Sequence, residues 1–148
     1  MKKVLLIATL LAAFNVSAVE LGVNGGGVSG STSGGLASVT VGEKFGKFGA
    51  EAGYGQAWLN GSTQNRWTLV GSYDVYTTEK FVVAGKVGYA YLNNQSVTSG
   101  SAATVGLGVT VPFNKNWAGT VDYAYQMAAS GVTQFNGNVI TAGIKYKF

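Results

Sequence analysis

The chain has 148 residues, of which 47% are hydrophobic and only 11% charged, with 23 glycines, one proline, no cysteine and no histidine. Ten basic and six acidic residues give a net charge of +4, but no basic run is interleaved with aromatics as nucleic-acid binding requires. The missing cysteine excludes disulfides and thiolate metal sites, and the missing histidine removes the usual base of nucleophilic and hydrolytic catalysis.

Lys2 and Lys3 precede a largely apolar stretch over 4–14, and Val16-Ser17-Ala18 supplies small residues at cleavage positions. This predicts a cleaved signal peptide over residues 1–18, too short for a spanning helix. Loss of Lys2 and Lys3 lowers the net charge to +2. No cysteine follows the cleavage site, so no lipid anchor is expected. Residues 19–148 suffice for one domain. They contain no run of 18 apolar residues, so no membrane helix is expected.

The rest of the chain alternates with period two. Strand 1 is expected near 21–27, strand 2 near 36–42 and strand 3 near 48–58, where Gln56 on the apolar face predicts a bulge or a rim position. Strand 4 sets Trp67, Leu69, Gly71, Tyr73 and Val75 against Arg66, Thr68, Val70, Ser72 and Asp74. Strand 5 sets Phe81, Val83, Val87, Tyr89 and Tyr91 against Val82, Ala84, Lys86, Gly88, Ala90 and Leu92. Strand 6 sets Val105, Leu107, Val109, Val111 and Phe113 against Thr104, Gly106, Gly108 and Thr110. Strand 7 sets Trp117, Val121, Tyr123, Tyr125 and Met127 against Ala118, Thr120, Asp122, Ala124 and Gln126, and strand 8 covers about 139–148.

Eight segments of about ten residues match tilted membrane strands. Short charged connections at 44–47, 77–80 and 114–116 read as periplasmic turns; uncharged stretches at 25–35, 60–65, 93–101 and 128–138 read as outer loops. The reading is an all-β, eight-stranded antiparallel transmembrane barrel, an up-and-down meander with both termini periplasmic.

Energetics choose the outer face. With the apolar set toward lipid, Glu51, Arg66, Asp74, Lys86, Asp122 and Lys145 face the lumen, joined by Glu20 and Lys147 at the periplasmic end. Reversal would set Lys86 against lipid at roughly 2–4 kcal/mol. Lys86 and Asp122 lie at similar depth and suggest a mid-lumen pair. Most other lumen positions are small, which leaves water-sized space. Aromatics form two belts: Phe48, Tyr73, Phe81, Phe113, Trp117, Tyr146 and Phe148 near the turn end, and Trp58, Trp67, Tyr89, Tyr91, Tyr123 and Tyr125 near the loop end. Such rings favour the two headgroup regions.

The signal peptide, the eight alternating segments, the turn from Pro112 to Trp117 and the terminal Tyr146-Lys147-Phe148 together resemble the eight-stranded outer-membrane barrel superfamily: the OmpA transmembrane domain, OmpX and opacity-type porin-family proteins. The resemblance implies a bacterial outer-membrane location, with outer-membrane lipid and lipopolysaccharide as surroundings. It also implies a C-terminal strand read by the assembly machinery, with Ile144, Tyr146 and Phe148 at the signal positions. An OmpA-type peptidoglycan tether is not expected, because no such domain follows Phe148, and the loops are shorter and less charged than those of opacity adhesins.

Enzymes of this architecture use Ser/His or Asp/His designs, which this chain cannot assemble. A Ser–Lys pair would need an outer-loop lysine, and none exists. The glycine-rich stretch at 25–35 lacks the Gly-Lys-Ser/Thr ending of a phosphate cradle and reads as an outer loop; Asn60-Gly61-Ser62 reads as a turn. No catalytic, cofactor or metal residues are expected. Three functions stay open: a structural or surface-interaction barrel, a narrow channel gated by lumen charges such as Lys86 and Asp122, and a loop-mediated binder, for which Phe135 alone offers a hot-spot side chain. No nucleic acid is expected as a partner, and a monomer is expected.

Overall fold

The computed structural model describes residues 19–94, 99–128 and 136–148. The signal-peptide segment and Phe135 lie outside them. Eight strands are present: β1 (Val19–Gly30), β2 (Gly34–Phe45), β3 (Phe48–Leu59), β4 (Ser62–Thr77), β5 (Val82–Asn94), β6 (Ser99–Pro112), β7 (Trp117–Ala128) and β8 (Gly137–Lys147). Each pairs antiparallel with its neighbours in sequence, and β1 pairs with β8 to close the barrel. Among the described residues no helix is long and apolar enough to cross a membrane.

Period-two alternation is the cause of the wall's two-sidedness, because successive side chains leave a strand on opposite faces. Val87, Leu107 and Val121 stand outward at 64%, 55% and 55% exposure. Arg66, Thr120 and Gln126, of opposite parity, are buried inside. A contiguous apolar exterior of this extent is not a water-facing surface. Closure matters equally, since it leaves no strand edge with unpaired backbone groups.

The strands run 11 to 16 residues, longer than the alternation alone suggests, and most of the excess is at the loop end. The expected loop at 25–35 is mostly strand: Gly25 lies opposite both Ala37 and Ala142, and only residues 31–33 connect β1 to β2. Glycine is required where backbones come close, as at Gly26, whose added Cβ would overlap the Ile140 carbonyl oxygen. The expected loop at 60–65 is a two-residue turn. Asn60 and Gly61 have φ of 35° and 89°, the signature of a type I′ hairpin, and β4 begins at Ser62. Gly61→Ala places a Cβ in left-handed backbone and should cost roughly 1–2 kcal/mol, read as a lower urea midpoint with unchanged barrel circular dichroism.

Gln56 occupies a rim position and not a bulge. The β3–β4 register is continuous there, and its Nε2 donates to Asn65 Oδ1 at 3.1 Å. The bulge is in β4, where the register shifts between Asp74 and Tyr76. Asp74 points inward by alternation, and the extra residue lets Val75 and Tyr76 both point outward. Phe81 belongs to the turn before β5. Its amide N donates to Thr78 Oγ1 at 3.0 Å, and its ring stacks on Tyr76 at 5.9 Å.

Candidate functional site

The lumen gathers the polar chemistry of the described residues. Three ion pairs cross it: Lys44–Asp74 at 2.6 Å, Lys86–Asp122 at 2.5 Å and Lys145–Glu51 at 2.5 Å. Each pair spans strands whose inward residue is glycine. Lys86 on β5 reaches Asp122 on β7 past Gly108 on β6; a Cβ there would overlap Asp122 Oδ1 and approach Lys86 Cε to 2.8 Å. Lys145 on β8 reaches Glu51 on β3 past Gly22 and Gly42, where a Cβ would lie 3.3 Å from Lys145 Cγ and 3.3 Å from Glu51 Cβ respectively. Lys44 on β2 reaches Asp74 on β4 past Gly49. The glycines in the lumen wall are thus the tracks along which long side chains lie.

Sequence reasoning placed Lys44 in a turn and so missed the partner of Asp74. It also grouped Arg66 with the other charges. Arg66 stands apart, at the loop-ward half, and its Nη2 donates to Gln126 Oε1 at 3.1 Å. No carboxylate pairs with it among the described residues.

The lumen is not lined by small groups throughout. Toward its loop end it holds two apolar clusters. One joins Leu36, Ala57, Leu59 and Val139 with Val28; the other joins Ala90, Leu92 and Ala102 with Ala128. Leu92 is 0% exposed. The sequence signal was available, since these residues have inward parity, but apolar residues facing inward at a strand's end are indistinguishable from a lipid-facing set until the register is known. Beside these clusters lies a cavity of about 110 Å³, lined by Arg66, Lys86 and Asp122 among others, and nearer the turns one of about 60 Å³. Lys86 and Glu51 border both. At about 30 Å³ per water, the larger has room for several waters.

Trp58, Trp67, Tyr91 and Tyr125 stand exposed toward the loop end, and Phe81, Phe113 and Trp117 toward the turn end. Tyr146 sits between Trp117 and Phe148, its ring 4.9 Å from each. Ile144 and Phe148 are exposed. The Phe148 amide N donates to the Val19 carbonyl at 3.1 Å, which fastens the last residue across the seam.

A closed eight-stranded antiparallel meander with an apolar exterior is the architecture of outer-membrane β-barrels. Among solved structures, Neisserial surface protein A (NspA) superposes with TM-score 0.58 at 14% identity, covering 88% of this chain and 96% of that one. The Yersinia pestis outer membrane protein Ail gives 0.57 at 10% identity, over 90% and 100%. The outer membrane enzyme PagL gives 0.57 at 14% identity, over 87% and 98%. No protein-family model matches the sequence, and no curated protein matches it. At these identities the likeness is one of fold.

Proposed function

We propose that this protein is an integral outer-membrane barrel with periplasmic termini and a structural or surface-interaction role, and that it is neither an enzyme nor an open pore. The observation that carries the reading is how the lumen is filled: two buried apolar clusters toward the loop end and three ion pairs. Permeation needs a continuous wet path, and the buried apolar side chains of Leu36, Leu59 and Leu92 count against one. The apolar exterior between aromatic girdles supports the membrane setting, and the likeness to outer-membrane folds supports the compartment. The absence of histidine from the sequence supports a non-enzymatic role. Export by a cleaved signal peptide, recognition of Ile144, Tyr146 and Phe148 by the assembly machinery, contact with lipopolysaccharide and a monomeric state complete the proposal.

A narrow gated channel is the second reading. It is favoured by the two cavities meeting at Lys86 and Glu51, which form a partial wet path from the turn end. Planar-bilayer conductance separates the two, with folding checked by altered gel mobility before and after boiling. The structural reading expects silence from the wild type and from Lys86→Ala. Discrete openings that change in Lys86→Ala would overturn it and establish a gated pore.

A further inference from the structure

Arg66 is 6% exposed, and its Nη1 has no hydrogen-bond partner among the described residues. Its other terminal nitrogen donates to a neutral amide oxygen, that of Gln126. The carboxylates that line the same cavity, Glu51 and Asp122, are each engaged by a lysine. The guanidinium therefore contributes one positive charge with no countercharge beside it. Arginine does not shed its proton in proteins, and an uncompensated buried charge is strongly unfavourable. Water satisfies an N–H but does not supply the missing charge.

The cavity of about 110 Å³ beside Arg66 is lined by the hydroxyl-bearing Ser38, Thr40, Thr68, Thr104 and Thr141. Hydroxyls donate as readily as they accept, so this wall solvates an anion as well as it does water. We propose that the lumen binds one small monovalent inorganic anion of halide type, held by Arg66 Nη1 and solvated by these hydroxyls. The surplus is a single charge, so a divalent anion would leave the site negative. The proposal rests on the closed barrel and is independent of whether the protein conducts or what it does in the membrane.

The test uses the purified protein in detergent micelles. Its unfolding by urea is followed while bromide replaces gluconate, a larger anion, at constant ionic strength. A ligand bound only by the folded state stabilises it by mass action, so at about ten times the dissociation constant the unfolding equilibrium constant should fall about tenfold. Gln126→Glu places a carboxylate beside the guanidinium and should abolish the bromide dependence while the barrel stays folded. Arg66→Gln should abolish it as well; if that variant does not fold, Gln126→Glu decides. Crystals grown in bromide should show an anomalous peak in contact with Arg66 Nη1. A non-saturating response, an equal response in Gln126→Glu, or no halide beside Arg66 would each overturn the proposal and leave an ordered water as the partner of Nη1.

Discussion

Lys86→Met should destabilise the barrel by roughly 3 kcal/mol, the low end of the roughly 3–5 kcal/mol seen when one partner of a buried ion pair is removed. The low end is expected because the two side chains retain 19% and 20% exposure, and the adjoining cavities admit water to the stranded Asp122. The double variant Lys86→Met with Asp122→Leu should recover most of the stability, since an ion pair exchanged for apolar groups of similar volume is often neutral or better. Urea unfolding in lipid vesicles measures all three proteins. A single variant as stable as wild type would mean that the pair contributes nothing beyond its packing.

The second large effect belongs to the outer face. Leu107→Arg should cost roughly 2–4 kcal/mol, the penalty for a cation at the bilayer midplane on a barrel's lipid side. Leu107 lies midway along β6, 55% exposed, opposite Gly85 and Tyr123. Phe113→Arg, in the turn-end aromatic belt, should cost only about 0–1 kcal/mol, because the penalty fades toward the interfaces. The same vesicle unfolding measurement reads both. Equal costs at the two depths would contradict the placement of the apolar band.

Parity along the strands was legible in the sequence because lipid and lumen impose opposite chemistry on alternate residues. It carried Arg66, Asp74, Lys86, Asp122 and Lys145 to the inside without any knowledge of register. Strand ends were less legible. The glycine-rich stretch at 25–35 has the composition of a flexible loop, yet its glycines serve the close approach of β1 to β8 and of β2 to β3. Ser62 to Asn65 are polar because they lie beyond the apolar band, where a strand no longer needs apolar residues. Side-chain pairing was legible only where both partners had obvious depth, as for Lys86 and Asp122. Lys44 and Asp74 meet because β2 continues through Phe45 and keeps Lys44 on the lumen-facing parity, and no composition signal marks that extension. The apolar clusters around Leu36, Leu59 and Leu92 escaped for a related reason: inward apolar residues look ordinary until neighbouring strands bring them together.

The seam between β1 and β8 has a kinetic consequence. Glu20 lies opposite Lys147, so the contacts that seal the ring join the two ends of the barrel sequence. Such distant contacts carry the largest chain-closure entropy and return free energy only when the rest of the ring is in place. A half-formed barrel has two bare strand edges, and those edges invite pairing with other chains. The adjacent hairpins can zip locally, but the sealed ring is an all-or-none product. Its rate of formation should therefore depend on how well the early sheet is shielded more than on how stable any one hairpin is.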